Sequence, residues 1–395
     1  MKIESVRLRN FRAFQELKLD NLPSLAFFIG KNGAGKSTLF KVFGFLKDAL
    51  ENNVRTALQR EGGFREWVSR GHETEPIEVE IQFRLEITQV ERLVTYLLVI
   101  AEENGKPFIA REVLRYKRGR YGSPYHFMDF SRGQGYAVNN EDDFSKEEEA
   151  LQRENLSLDS PDVLAIKGIG QFQRFKAANA FRNLIENWHV SDFHISAARN
   201  RAQSGVAQHL SISGDNLPLV TQHIYENHPD VFASILRKMQ ERVPGVDEVT
   251  AEQTSDGFVV LRFKDGAFSS PFISRNVSDG TIKMFAYLVL LHDPRPHPFL
   301  CIEEPENQLY PGLLHELTEE LRDYARRGGQ VFVSTHSPDI LDAARLDEVY
   351  VLEKRAGATR AFRAADDNQV RALAEAGDLL GSLWNQGFLQ TRQDQ

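Results

Sequence analysis

One cysteine, Cys301, stands in the 395 residues, which excludes a disulfide within the chain and any zinc site built from several thiolates. Long apolar runs are equally scarce: even Met284 to Leu291 is far too short to span a membrane. The opening MKIESVRLRNFRAF carries no uninterrupted apolar core of signal-peptide length, so a cytoplasmic location is expected, with no membrane partner. The sequence shows neither internal repeats nor extended low-complexity segments. Positive charge is in deficit, with 48 Lys and Arg against 56 Asp and Glu and a formal net charge of -8. That excludes a surface devoted as a whole to gripping phosphates, while a local basic groove stays open. What is present is a hydrophobic content of 41%, normal for a globular chain long enough for two domains or for one large domain with an insertion.

Ile3, Val6 and Leu8, then Leu17 and Leu19, stand between polar neighbours and predict two early strands. Leu25 to Ile29 is continuously apolar, as in a strand buried on both faces, and Lys36 to Asn52 has helical periodicity. "IEVEIQFRLE" and the stretch Arg92 to Gly119 predict an antiparallel meander, with Asn104-Gly105 as a turn signal. Gly133 to Pro161 is polar, and its charge run Glu141 to Glu149 predicts a solvated loop or exposed helix. Asp162 to Trp188 and Leu219 to Arg242 predict helices, and "GFVVLRF" a further strand. The C-terminal third alternates β-rich runs, "PFLCIEE", "GGQVFVSTHS" and "LDEVYVLEK", with helical stretches, the pattern of an α/β core with a parallel sheet.

The phosphate-binding candidate is Gly30-Lys31-Asn32-Gly33-Ala34-Gly35-Lys36-Ser37, which fits G-x-x-x-x-G-K-[ST] between a buried strand and a helix. Its glycines let backbone N–H groups turn inward around phosphates, and the helix start adds its positive dipole end. Lys36 then reaches the β- and γ-phosphates, and the Ser37 hydroxyl ligates Mg²⁺. Nothing in the loop distinguishes ATP from GTP.

Glu303 and Glu304 end the apolar strand in "PFLCIEEPENQLYPG", where adjacent side chains diverge. We assign Glu303 to the metal, through a water, and Glu304 to the attacking water; alone, the pair also reads as a solvated acidic turn. His336, at the end of the strand in "QVFVSTHSPDIL", is placed to hydrogen-bond a γ-phosphate or the water. Ser278, Asp279 and Gly280 open a hydrophobic helix and read either as an ordinary N-cap or as a second anion-binding helix start.

In this order, and with "LRNFRAF" near the start, the motifs resemble the ATP-binding-cassette ATPases of the SMC, RecF, RecN and OLD type, most closely the single-chain ATPases of bacterial phage defence. The resemblance covers roughly residues 1 to 85 and 270 to 360. It implies an α/β fold: an ABC-ATPase-like P-loop head with a mixed or parallel sheet core, a β-meander subdomain and a mainly helical insertion. The expected division is 1–88 for the N-terminal part of the head, 89–270 for meander and insertion, and 271–395 for the rest. It further implies a homodimer, or a higher oligomer, around two ATP molecules. Each ATP is held by Gly30 to Thr38, Glu303, Glu304 and His336 of one chain and met by Ser278 to Gly280 of the other. The coupling glutamine of such heads has two candidates, Gln59 and Gln82, and Glu303 stands where many relatives have Asp.

The function implied is an ATP-driven switch in DNA metabolism or anti-phage defence. After Val351 too few residues remain for a nuclease domain of ordinary size, so a nuclease or other effector is expected as a separate protein. Candidate DNA-facing residues are Arg115, Lys117, Arg118 and Arg120 in "RYKRGRY", which also reads as a solvated basic hairpin, with Arg199 and Arg201 in "AARNRA". Two other readings stand beside this one. The first is a transporter ATPase subunit, which residues 89 to 277 make bulkier than usual; the second is a partner-sensing scaffold with slow hydrolysis.

Overall fold

A computed structural model describes residues 2–87, 89–117, 124–139, 151–191 and 193–390. Its central sheet has six strands, in the order His189–Ser191, Phe299–Glu303, Gln330–Thr335, Leu25–Ile29, Val349–Arg355 and Ala358–Arg363. All neighbours run parallel except the last pair.

Leu25–Ile29 is buried at all five positions, because both faces of this sheet are covered. On one face Ala26 and Phe28 join Phe299, Phe332 and Tyr350 beneath the helix Lys36–Glu51, where Phe28 meets Phe332 and Phe43 meets Phe299 ring to ring. On the other, Leu25, Phe27 and Ile29 pack with Leu300, Val331 and Val333 against the helix Asp279–Leu291, which is buried from Ile282 onward. The alternation of one short strand thus holds the two helices on opposite faces.

Eight antiparallel strands form the second sheet, in the order Phe14–Leu19, Lys2–Phe11, Ile77–Ile87, Val90–Glu103, Lys106–Tyr116, Tyr125–Ser131, Gln134–Val138 and Arg153–Ser157. The meander and the N-terminal strands are one sheet, in which Ile77–Ile87 pairs along its whole length with residues 90–100 of the next strand. Ile3 and Val6 lie three residues apart yet both face the core, because a bulge between Ile3 and Ser5 absorbs the odd residue. Asn104 and Gly105 have φ of 53° and 72°, the doubly left-handed turn that matches hairpin twist.

The polar segment Gly133 to Pro161 contributes two strands, Gln134–Val138 and Arg153–Ser157, to this sheet. Arg153–Ser157 ends the sheet with one strand neighbour, where it needs no apolar alternation. Its charge run, Glu141 to Glu149, lies outside the described residues. The helix expected from Leu219 to Arg242 is two, Leu217–Asn227 and Pro229–Arg242, because a residue before proline avoids helical angles and His228 takes φ −140° and ψ 59°. Among the described residues no helix is long and apolar enough to cross a membrane.

Two buried polar groups tie the parts together. The Gln330 amide bonds the Ile3 backbone twice, accepting from its N–H and donating to its carbonyl, both at 2.8 Å, so that a side chain continues the strand pairing between the two sheets. Glu320, on the helix Leu314–Arg326, takes bonds from Lys238, from Arg242 at 2.6 Å and from His292 at 3.0 Å. Burial alone would raise its carboxyl, but His292 and Lys238 as donors and the charges of Lys238 and Arg242 pull it down to about 2. A depressed carboxylate stabilises the fold above the unfolded value near 4.5, and that contribution disappears as pH falls through about 2. Glu320→Gln is therefore expected to cost about 2 to 4 kcal/mol at neutral pH, by leaving two half-buried cations short of their buried counter-charge. Urea unfolding should show the difference from wild type shrinking as the pH is lowered from 5 towards 2.

Candidate functional site

Three loops meet at the C-terminal edge of the central sheet. Leu25–Ile29 runs into the phosphate loop, Phe299–Glu303 ends in the carboxylate pair, and Gln330–Thr335, lying between them, ends at His336. Ligands of open α/β sheets sit at this edge.

The phosphate loop has the backbone its sequence asks for. Gly33 and Gly35 take φ of 77° and 99°, and a Cβ on Gly30 would sit 2.4 Å from the Leu352 carbonyl oxygen. Lys36 is 6% exposed and donates to the Gly30 carbonyl at 2.7 Å, while Lys31, Asn32, Gly33 and Ser37 are open to solvent. Burial lowers the Lys36 ammonium's pKa, and the nearby charges of Glu304, Glu306 and Glu303 oppose that shift. The loop also borders a cavity of about 400 Å³ whose far wall includes Trp384 and Leu389.

Glu303 follows Cys301 by two residues and so shares the sheet face of the helix Lys36–Glu51, near enough for its charge to act on Lys36. Glu304 breaks the strand with a left-handed backbone, φ 42°, a conformation costing about 1 kcal/mol for a residue with a Cβ. Its N–H still bonds the Ser334 carbonyl at 2.9 Å, and its side chain accepts from Asn307 Nδ2 at 3.0 Å. The turn aims it at His336, whose Nδ1 lies 3.5 Å from Glu304 Oε1.

Glu306 was not singled out from the sequence, and it organises this corner. Its Oε1 accepts from Thr335 Oγ1 at 2.8 Å and from the His336 N–H at 2.9 Å, and lies 3.4 Å from His336 Nδ1. Its Oε2 is buried and has no partner, the mark of a site shaped for a further polar group. The third acidic residue in "EEPENQ" was its only signal.

Ser278 caps the helix Asp279–Leu291, accepting from the Thr281 N–H at 3.2 Å. Asp279 pairs with Arg199 at 2.6 Å, and a Cβ on Gly280 would come within 3.2 Å of the Gln308 carbonyl. Ser278 and Asp279 are exposed, and beside them Tyr310 is 73% exposed. The helix start therefore leans on the loop after the carboxylates, on the face away from the chain's own phosphate helix. The structure thus brings Lys36, Glu303, Glu304 and His336 to one corner and sets Ser278 to Gly280 apart.

Several basic candidates are engaged elsewhere. Arg199 also donates to the Val277 carbonyl, Arg115 pairs with Glu80 at 3.3 Å, and Arg201 pairs with Asp256 at 2.6 Å. Acidic partners offset these charges, so they are poor phosphate readers; Lys117 is exposed, and Arg118 and Arg120 lie outside the described residues. Gln82 lies opposite Ser5 within the antiparallel sheet and bonds its hydroxyl, a place unsuited to a coupling glutamine, and Gln59 is exposed at a helix end.

A parallel sheet with strand order 299–303, 330–335, 25–29, 349–355, a glycine-rich phosphate loop and a distant carboxylate pair define an ABC/SMC/RecF-like ATPase head. The chain belongs to the family described as "AAA domain, putative AbiEii toxin, Type IV TA system", whose model matches residues 25–342. It is similar to the DNA replication and repair protein RecF of Lactococcus lactis subsp. lactis strain IL1403, at 31% identity over 158 residues, 35% of this chain and 40% of that one. RecF of subsp. cremoris strain MG1363 is 30% identical over the same length, so the matched part is well under half of these curated relatives. In fold it resembles an SMC head solved bound to the C-terminal winged-helix domain of ScpA, with TM-score 0.55 and 14% identity over 92% of this chain and 98% of that one.

Glu306→Ala is expected to lower kcat for ATP hydrolysis about tenfold to a hundredfold, because hydrogen bonds to a charged acceptor at this corner are lost. Steady-state kinetics should show KM for ATP moving much less than kcat, in a protein whose melting transition stays cooperative.

Proposed function

We propose that the protein is an ATP-hydrolysing switch that closes into a head-to-tail homodimer around two ATP molecules and governs a separately encoded nuclease or other effector, in DNA metabolism or anti-phage defence. The observation that carries the reading is the exposed helix start Ser278 to Gly280. It sits on the sheet face opposite the chain's own phosphate helix, flanked by exposed Tyr310. An exposed helix start with an exposed aromatic beside it suits a charged ligand presented by a second copy. The family's description and the name of RecF support the proposed settings, and the heads of SMC type support the architecture.

In this reading residues 1–88 and 271–395 make the head, with 89–270 as the attached meander and helical insertion. Lys36 exchanges the Gly30 carbonyl for the β- and γ-phosphates, and backbone N–H groups of Gly30 to Thr38 cradle them. Ser37, and Glu303 through a water, would hold Mg²⁺, which when bound would neutralise phosphate charge. Glu304 takes the proton of the attacking water and His336, steadied by Glu306, donates to the γ-phosphate. DNA is a further partner in this reading, with Arg115, Lys117, Arg118, Arg120, Arg199 and Arg201 as its candidate contacts.

Two mutant chains test the shared site. Lys36→Ala removes the phosphate contact and Ser278→Arg obstructs the helix start, and each chain alone should hydrolyse ATP at a small fraction of the wild-type rate. Mixed, they should regain activity well above the sum, since one site of the mixed dimer combines an intact phosphate loop with an intact partner helix. A mixture that stays at the sum refutes the composite site. Glu304→Gln should trap an ATP-dependent dimer visible by light scattering, with steady-state turnover lost.

A further inference from the structure

We propose that His209, Asp293 and His297 form a binding site for one divalent transition-metal ion of the zinc class, at the end of the central sheet opposite the phosphate loop. One ligand atom from each lies within 4.8 Å of the others. His297 and Asp293 belong to the turn between the helix Asp279–Leu291 and the strand Phe299–Glu303; His209 comes from the segment before the helix Leu217–Asn227.

His297 makes the strongest case. Its Nδ1 lies 2.8 Å from the Asn187 carbonyl, which can only accept, so Nδ1 carries the proton and Nε2 keeps its lone pair. That Nε2 is buried and has no partner, on a side chain only 9% exposed. A ring fixed by a backbone carbonyl with its other nitrogen free is how metal-ligating histidines are held.

Asp293 is buried and oriented, its Oδ1 accepting from the Arg295 N–H at 2.8 Å and its Oδ2 lying 2.8 Å from His209 Nδ1. A core of structural histidines would account for the His209–Asp293 pair but leaves the His297 nitrogen unexplained. His189 stacks on His297 with ring centroids 4.9 Å apart, and its own Nε2 is also buried without a partner. Beside the cluster opens a cavity of about 600 Å³, bordered by Lys47, His194 and Ser211, with room for water in a further coordination position. Two imidazoles and a carboxylate favour zinc, nickel, copper or iron over magnesium or calcium, which take oxygen ligands.

The test titrates Co²⁺ into the tag-free, chelator-treated full chain without nucleotide, following visible ligand-field bands and calorimetry, with Zn²⁺ as competitor. Wild type should bind one equivalent that Zn²⁺ displaces, and His209→Ala and His297→Ala should weaken binding by about a hundredfold or more. His209 is partly exposed, so its variant should fold even where the His297 variant does not. Ser37→Ala should bind Co²⁺ as wild type does, which separates this site from the nucleotide's metal. Absence of stoichiometric binding in wild type, an unchanged affinity and spectrum in His209→Ala, or loss of binding in Ser37→Ala would each overturn the proposal.

Discussion

Lys36 cannot be buried alone. An ammonium at 6% exposure loses most of its hydration, and the structure offsets that loss with the Gly30 carbonyl and the field of Glu303, Glu304 and Glu306. The cation comes from the first fifty residues and the anions from beyond residue 300, so the arrangement exists only while Gln330–Thr335 keeps its place between their strands. A slip of one residue in either pairing would turn Glu303 to the other face, and the buried charge would lose part of its field. The fold of the head and the electrostatics of its site are therefore one constraint.

This dependence explains what the sequence revealed. The phosphate loop was legible because its glycines, lysine and serine act within eight residues, and Leu25–Ile29 because a strand covered on both faces is apolar throughout. Asn104-Gly105 was legible for the same local reason. Glu306 was not, since its meaning lies in Thr335 and the His336 N–H, which arrive from another strand. Gln330 was not legible either, since its amide closes on Ile3, 327 residues away in sequence. Arg199 carries a contact that no local pattern shows, its charge being paired with Asp279, 80 residues away in sequence. His189, His209 and His297 follow no spacing rule, and only the fold brings them together.

The helix start that faces outward is not isolated from Glu304. Lys283, one turn into the same helix, donates to the Asn307 carbonyl at 2.5 Å, and the Asn307 side chain donates to Glu304 at 3.0 Å. Gly280 adds close packing against Gln308, where even a Cβ would press the backbone. A displacement of this helix would thus reach the left-handed Glu304, which depends on its neighbours to hold a costly backbone conformation. The helix start and Glu304 thus lean on one loop, 304–310.

The same helix and the strand that follows it also join the two ends of the sheet. The helix begins at Ser278 and Asp279 and ends one residue before His292 and Asp293; the strand begins two residues after His297 and ends at Glu303. At about 1.5 Å per helical residue and 3.3 Å per strand residue, both elements span on the order of 20 Å, and neither contains a glycine or proline beyond the first turn at which it could bend. Asp293 and Ser278 are therefore two ends of one rod, and His297 and Glu303 two ends of another, packed side by side through Leu300 and Ile302. Any force that tightens the turn 292–298 acts on the same two elements that set the carboxylate pair and the exposed helix start. Coupling between sites that share supports is reciprocal in free energy, so ATP held at one edge and a ligand held at the other would each alter the other's affinity by the same factor.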